Sequence, residues 1–102
     1  MADFRVMLPL AAAMVNQVLQ SGEHKHGNSW ETQLISTHRE HHDQHLRDKD
    51  AGIIMDGQTK ETNTSHAVVR LLFELEMELR ELELDKREAR RRARKQKAVT
   101  TG

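Results

Sequence analysis

The chain has 102 residues, of which 36% are hydrophobic and 3% aromatic, so it can form one small domain at most and can bury only a modest part of its surface. We therefore expect a partner chain to complete the core. Lys+Arg and Asp+Glu both total 16, which excludes a strong overall attraction to nucleic acid or membrane, and the absence of cysteine excludes disulfides and thiolate metal sites.

The first apolar segment predicts a helix over about residues 8–20. Pro9 is tolerated in a first helical turn, and Ser21-Gly22 is a typical stop signal. The apolar residues between them recur at helical spacing: Leu10, Met14, Val15, Val18 and Leu19. The segment lacks a lysine-rich leader and is far too short to span a bilayer, so we expect a cytoplasmic protein without membrane contact.

The stretch SGEHKHGNSW, residues 21–30, has two glycines and no periodicity, and it is predicted to be a loop with Ser29 as the N-cap of the next helix. That second helix is predicted over about residues 30–48 and contains four of the chain's seven histidines. They stand at i, i+3, i+4 and i+7, on one side of the helix: His38, His41, His42 and His45. Because Leu34 precedes them at the same 4-3-4 spacing, we expect the imidazoles to face the interior.

Two roles fit this histidine cluster. Neutral imidazoles one turn apart can converge on a transition metal ion, and without cysteine any metal has to be held by histidine and carboxylate. Alternatively, the imidazoles hydrogen-bond carboxylates or meet phosphate in a polar interior. In either case the cluster disfavours charging all four rings, so some should titrate below the usual value of about 6.5.

Residues 49–64 form a polar loop that is long for so small a domain, which makes it a candidate functional segment. Asp56 lies within this loop and His66 follows it, ten residues later. A loop carboxylate beside a helix-capping segment can hold Mg²⁺, which prefers oxygen ligands. Asp-Gly at this position is equally typical of a turn without further function.

The strongest periodicity predicts a third helix over residues 65–97, capped by Thr64 or Ser65. Its main apolar stripe repeats at 4-3-4-3 spacing: Val68, Leu72, Leu75, Leu79 and Leu82. Four further residues widen the stripe: Leu71, Phe73, Met77 and Leu84. A helix so much longer than its neighbours needs a second chain, so we predict an all-α fold of three helices that completes a helical bundle as a homodimer or tetramer.

The C-terminal part of this helix is strongly basic, since eight of the twelve residues in KREARRRARKQK are Lys or Arg. Positive charge stabilises a helix C-terminus, and the same side chains can bind the phosphates of nucleic acid. The candidate nucleic-acid contacts are Arg90, Arg91, Arg92, Arg94 and Lys95. We therefore divide the chain into a helical domain, residues 1–85, and a basic helix end with a disordered tail, residues 86–102.

Four stretches occur in an order and spacing that together resemble one known family. The first is a helix followed by a Gly-x-x-Lys-x-Gly loop and a tryptophan, matched at Gly22, Lys25, Gly27 and Trp30. The others are His45-Leu46 followed by Gly52 and Asp56, then His66-Ala67, then LLFELE at residues 71–76. Over residues 8–77 the chain resembles a phage-associated family of dATP/dGTP diphosphohydrolases, which is similar to the wider all-α MazG-type nucleotide pyrophosphohydrolases.

This resemblance implies that a purine deoxynucleoside triphosphate is hydrolysed to monophosphate and pyrophosphate with Mg²⁺ or Mn²⁺, in the cytoplasm of a bacterial host. Asp56 would bind the metal with a carboxylate such as Glu40 or Asp43. His45 and His66 would contact phosphate or act as ligand and general base. Lys25 would neutralise a phosphate oxygen and Trp30 would contact the substrate. The clustered histidines are further candidate metal ligands: His38, His41, His42 and His45.

The chain departs from the family pattern at three positions. It has Ile53 where the family usually has Glu, Gln58 where an acidic residue is usual, and Asn63 where a further histidine is usual. MazG-type catalysis is expected to need several acidic metal ligands, so these changes weaken the expected site. The second hypothesis is therefore a non-enzymatic interaction protein that keeps the fold and binds nucleic acid or a host protein through its basic end. A phosphohydrolase built on His42-Asp43 would need more helices than this chain supplies.

Overall fold

The structure is a computed structural model that describes residues 2–27, 29–57 and 59–101, except for the side chains of residues 24–26 and 98–101. In chain order its elements are α1 (Phe4–Met7), α2 (Pro9–His26), a 3-10 turn (Ser29–Thr32), α3 (Ile35–Asp50) and α4 (Asn63–Thr101). No strand forms within the described ranges, so the all-α prediction is confirmed, with a short additional helix before the three predicted ones. None of these described helices is long and apolar enough to cross a membrane.

Helix α2 begins at Pro9, as expected, but extends six residues beyond its predicted end at residue 20. It stops at Gly27, which has φ +60° and donates its N–H to the Glu23 carbonyl at 2.9 Å. The prediction that Ser21-Gly22 ends the helix is wrong. A glycine inside a helix costs only about 1 kcal/mol relative to alanine, and this turn is held by a tertiary contact in which Ser21 Oγ donates to Glu61 Oε2 at 3.0 Å.

A 3-10 turn replaces the predicted first turn of the second helix. Ser29 does not cap a helix there; its carbonyl accepts from Thr32 Oγ1 at 2.9 Å, and α3 begins only at Ile35. The ring of Trp30 stacks on that of Phe73, with centroids 4.6 Å apart and planes 8° apart. The turn is therefore packed against α4, which explains why the helix starts later than the sequence pattern indicates.

Helix α4 begins at Asn63, two residues before the predicted start, and continues past residue 97 to Thr101. Its cap is Thr62 and not Thr64 or Ser65 as predicted, since the Ser65 N–H donates to Thr62 Oγ1 at 3.1 Å and both predicted residues lie inside the first helical turn. Thr62 also forms an isolated antiparallel bridge with Met55. This bridge folds the loop between α3 and α4 back on itself and brings its polar residues to the start of α4.

The interior is small and polar. The buried apolar residues are Ala12, Val18, Ala67 and Val69. The buried polar residues are His38, Glu61, Asn63, Ser65 and Glu74. Helix α4 packs mainly on α3 and to a lesser degree on α2. The side of α4 that faces these helices is largely polar.

The leucine stripe of α4 faces away from this interior. The exposed fraction is 40% for Val68 and Leu72, 47% for Leu75, and 54% for Leu79 and Leu82. The helical periodicity was therefore predicted correctly, but its apolar side does not form the core of the single chain. The dimer that would cover the stripe stays a prediction at this point.

An ion pair joins α3 to α4. Arg39 donates from Nε to Glu74 Oε1 at 3.1 Å and from Nη2 to Glu74 Oε2 at 2.7 Å, which is the bidentate geometry of a strong charge-assisted pair. Glu74 is buried while Arg39 is exposed. The guanidinium hydrogen bonds hold the pKa of Glu74 below its usual value.

This pair should make the stability of the fold depend on pH in the acidic range. Because the folded-state pKa of Glu74 is lowered, its contribution is complete above the unfolded value of about 4.3 and is lost as the pH falls below that value. We expect Glu74→Gln to lower the thermal midpoint by about 5 °C at pH 7 and by much less at pH 3. Thermal denaturation followed by circular dichroism measures this, with the exposed Glu81→Gln as control; equal losses at both pH values would contradict it.

Candidate functional site

A cavity of about 650 Å³ lies between α2, the 3-10 turn, α3 and the first part of α4. On α4 its wall is formed by His66, Val69, Arg70 and Phe73, which span about 10 Å of helix axis. The loop before α4 contributes three polar residues: Asp56, Thr59 and Glu61. The volume lies within the range of sites that bind small molecules and cofactors.

Glu61 is the buried acidic group of this cavity, with an exposed fraction of 2%. Its Oε2 accepts a hydrogen bond from Ser21 Oγ at 3.0 Å. Its Oε1 lies 3.2 Å from His66 Nε2, but no described residue donates to it with hydrogen-bond geometry. A buried carboxylate oxygen without a donor is unfavourable and calls for another partner.

Thr59 links the loop residues to the start of α4. Its Oγ1 donates to Asp56 Oδ2 at 3.1 Å, accepts from the Glu61 N–H at 3.2 Å and lies 3.2 Å from His66 Nε2. The backbone N–H of Asp56 also donates to the Glu61 carbonyl at 2.9 Å. The two carboxylate residues and His66 are therefore held in one connected group.

His45 is oriented by Asn63. Its Nδ1 lies 2.8 Å from Asn63 Oδ1, and Asn63 Nδ2 donates to the Ile53 carbonyl at 2.8 Å. Since the amide oxygen can only accept, the hydrogen of a neutral His45 lies on Nδ1, and Nε2 is the acceptor. His45 also stacks on His66, with ring centroids 4.9 Å apart.

Burial lowers the pKa of His66, and the neighbouring His45 lowers it further. Desolvation is the larger cause, because removing the ring from water disfavours its charged form. Asp56 and Glu61 oppose the shift without reversing it. His66 is therefore neutral at pH 7, so it can act as an acceptor or a ligand.

The other part of the cavity wall is aromatic. Trp30 and Phe73 form the stacked pair described above, and both line the cavity. The guanidinium of Arg80 lies over the Trp30 ring, 5.3 Å from its centroid. The Trp30 ring therefore has Phe73 on one face and the Arg80 guanidinium on the other, and this aromatic group borders the cavity beyond the polar group at His66.

The family described as dATP/dGTP diphosphohydrolase, N-terminal, has a sequence model that matches residues 1–87. The chain belongs to this family. No curated protein and no solved structure matches this chain. The match includes the whole cavity and all of residues 8–77, over which the motifs resemble the family, and it extends to Arg87, the second residue of the basic segment.

The clustered histidines of this diphosphohydrolase-family chain do not converge. His41 and His45 line the cavity, whereas the Nδ1 of His42 pairs with Asp43 Oδ1 at 3.0 Å. His38 is fully buried, and both of its ring nitrogens have protein partners at 2.9 and 3.0 Å. Among the described side chains no group of three or more His, Asp or Glu residues could hold a metal ion. The histidine metal set therefore stays a prediction, and His38 could join it only by losing a hydrogen bond.

The inward-facing stripe was only partly predicted. Leu34, which was expected to face the interior, has an exposed fraction of 71%, because it precedes α3 and does not lie on it. His38 is buried as expected. Burial, followed by the nearby Arg70 guanidinium, lowers the pKa of His41, as expected for some members of the cluster.

The remaining predicted site residues fall in different places. Asp56, His66 and Trp30 line the cavity. Lys25 belongs to α2, but its side chain lies outside the described residues, as does all of Gln58. Neither Glu40 nor Asp43 lines the cavity; Asp48, farther along α3, does.

The basic end of α4 is exposed and largely paired with its own helix. Arg90 pairs with Glu83 at 3.4 Å, and Arg91 and Arg92 pair with Glu88 at 3.3 and 3.4 Å. Arg94 and Lys95 are exposed beside them. Such pairs are typical of a solvated helix, so nucleic-acid binding stays a prediction.

Glu61 and Arg70 are among the cavity residues that were not identified from the sequence. Glu61 was read as part of a polar loop, although its place five residues before His66 was a usable signal. Arg70 was hidden in the apolar run AVVRLLF, where a lone charge one helical turn after His66 could have marked it. Both residues become part of the cavity only because α2 and α3 pack on α4.

Proposed function

We propose that the cavity binds a purine deoxynucleoside triphosphate with a divalent metal ion and hydrolyses it to monophosphate and pyrophosphate. The observation that carries this proposal is the buried Glu61 carboxylate, because one of its oxygens lacks a donor where it borders the cavity. A cation is the partner that such an oxygen needs most. Membership in the dATP/dGTP diphosphohydrolase N-terminal family supports the class of substrate.

The residues present fit Mg²⁺ or Mn²⁺. Mg²⁺ uses one or two protein carboxylates and fills its other positions with water and substrate phosphates, so a large protein ligand set is not required. Glu61 and Asp56 would hold the ion, and Glu61 would thereby replace an acidic residue that the family usually has elsewhere in this loop. When bound, the ion would neutralise phosphate charge and favour ionisation of a water molecule.

One of the two stacked histidines would accept the proton of the attacking water. Asn63 fixes the Nδ1 hydrogen of His45, so that Nε2 can accept a proton from the water that attacks the α-phosphorus. The bond from that phosphorus to the bridging oxygen then breaks, and pyrophosphate leaves. Neutral His66 would keep Thr59 in position through its 3.2 Å contact with the hydroxyl oxygen.

The aromatic wall would receive the base. A purine has a large apolar ring system, and Trp30 and Phe73 supply the aromatic part of the cavity wall that it can contact. Since Phe73 lies about 10 Å along α4 from His66, base and phosphates can be bound at opposite ends of the cavity. This order supports a nucleoside triphosphate over a free sugar phosphate.

The test is incubation of the purified protein with each dNTP and NTP in the presence of Mg²⁺ or Mn²⁺, followed by separation of monophosphate from diphosphate products. We expect dATP and dGTP to give monophosphate and pyrophosphate. Asp56→Ala should lower this rate by about 100-fold, whereas Asp50→Ala, at the exposed end of α3, should leave it unchanged. Diphosphate products, or no turnover of any nucleotide, would overturn the proposal.

We also propose that two copies of the chain pair through α4. The exposed stripe from Val68 to Leu82 repeats every three or four residues, as in helices that pack along their length. The small polar interior supports this pairing, because the chain buries few large apolar side chains by itself. A dimer would cover the leucines without closing the cavity, which is lined by a different side of α4.

A further inference from the structure

We propose that Arg70 is the anion-binding residue of the cavity and takes a phosphate group of the nucleotide, an inference that rests on the proposed function. Arg70 is half-buried and lines the cavity wall on α4. Its Nη1 donates to Gln33 Oε1 at 2.8 Å and to His38 Nδ1 at 3.0 Å. Both partners are neutral acceptors, so within the described residues this cation has hydrogen bonds but no counter-ion.

Several other arginines of the described chain face carboxylates: Arg39 faces Glu74, Arg80 faces Glu76 and Arg90 faces Glu83. Those three arginines are exposed. The burial of Arg70, in contrast, disfavours its charge and lowers its pKa. A partly buried charge is costly unless an opposite charge accompanies it. A bound anion would supply that charge, and a guanidinium suits phosphate because its donors can form two parallel hydrogen bonds.

The position of Arg70 indicates which anion fits. It lies one helical turn after His66, about 6 Å along α4, and one turn before Phe73, about 4.5 Å. It therefore stands between the carboxylate group of the cavity and the aromatic wall. In a nucleotide the phosphates lie between the metal ion and the base, so a phosphate would meet Arg70.

His38 holds this guanidinium in place. Because Arg70 can only donate, His38 Nδ1 accepts and His38 Nε2 carries the hydrogen that is donated to the Trp30 carbonyl at 2.9 Å. The chain of contacts from Arg70 through His38 to the backbone at Trp30 fixes the cation relative to the aromatic wall. The buried histidine is thus a positioning residue for anion binding.

Gln33→Glu tests this assignment without removing Arg70. The new carboxylate would pair with the guanidinium, so the fold should keep its thermal midpoint while the cation is neutralised. We expect the affinity for dGTP and for inorganic tripolyphosphate, each measured by calorimetry with Mg²⁺, to fall by at least about ten-fold. Gln44→Glu is the matched control, since Gln44 lines the same cavity but bonds to Asp48 and Arg47; its loss should stay below about three-fold.

Equal losses in Gln33→Glu and Gln44→Glu would overturn the assignment, because a general negative charge would then explain both. Arg70→Met is a second variant and should lose affinity as Gln33→Glu does. The outcomes also separate the two proposals. If tripolyphosphate binds and Gln33→Glu weakens it while no nucleotide is hydrolysed, the anion site stands and the proposed function fails. If dGTP is hydrolysed and Gln33→Glu changes neither KM nor affinity, the function stands and the anion site fails.

Discussion

Replacing Glu61 with glutamine is expected to lower metal-dependent hydrolysis of dGTP by at least about 100-fold. The amide keeps the shape of the side chain and can still accept from Ser21, so the loop should keep its fold. It removes the negative charge of the buried oxygen that has no donor, and with it the strongest attraction for a divalent ion. Initial rates at saturating Mg²⁺ and Mn²⁺ measure the effect.

A second readout of this variant does not depend on turnover. Mn²⁺ that binds the folded protein raises its thermal midpoint by mass action, and Glu61→Gln should lose this increase. Glu23→Gln is the matched control, because Glu23 also lines the cavity but is exposed. A control that loses as much as Glu61→Gln, or a Glu61→Gln protein that keeps its activity, would remove Glu61 from the metal site.

Replacing Leu75 with glutamate is expected to convert a dimer into monomers. Leu75 lies at the centre of the exposed stripe of α4, with 47% of its surface exposed in the single chain. Since burying a whole leucine contributes about 1.5–3 kcal/mol, burying the exposed half of Leu75 in each of two copies contributes about as much in total, and a charged replacement should weaken association by at least about ten-fold. Light scattering coupled to gel filtration measures the mass at several concentrations.

The control for this second prediction is Leu10→Glu, in the first turn of α2, where 88% of the residue surface is exposed and which lies outside the stripe of α4. It should leave the oligomeric state unchanged. A wild-type protein that is monomeric at tens of micromolar would contradict the pairing of α4. The stripe would then need another partner.

The helices of this chain could be predicted because their signals are local. The stripe from Val68 to Leu82 and the absence of Gly and Pro from residues 65–97 indicate a long helix wherever the chain packs. The boundaries were less accurate, since they depend on contacts between distant segments. Gly22 stays helical because Ser21 bonds to Glu61, and the start of α3 is delayed because Trp30 stacks on Phe73.

The site could be predicted only in part for the same reason. Asp56, His66 and Trp30 were found through motif spacing and do line the cavity. The histidine pattern gave the right side of the helix for His41 and His45, but periodicity carries no information about hydrogen-bond partners. It therefore could not show that His38 contacts Arg70 and the Trp30 carbonyl, or that Asn63 orients His45.

The structure also shows where the residues lie at which the sequence analysis expects departures from the family pattern. Ile53 is half-exposed and lies outside the cavity lining. Asn63 orients His45. A buried acidic group appears instead at Glu61, a position that the motif comparison did not single out.

Titration of the fluorescence of Trp30 with dGTP and dATP in the presence of Mg²⁺ is the most direct measurement. Trp30 is the chain's one tryptophan and lines the cavity, so its emission reports binding at this place. We predict a saturable change with both purine nucleotides, weakened in Glu61→Gln and in Gln33→Glu. Emission that stays constant up to millimolar nucleotide, while Trp30 remains packed on Phe73, would show that the cavity is not a nucleotide site.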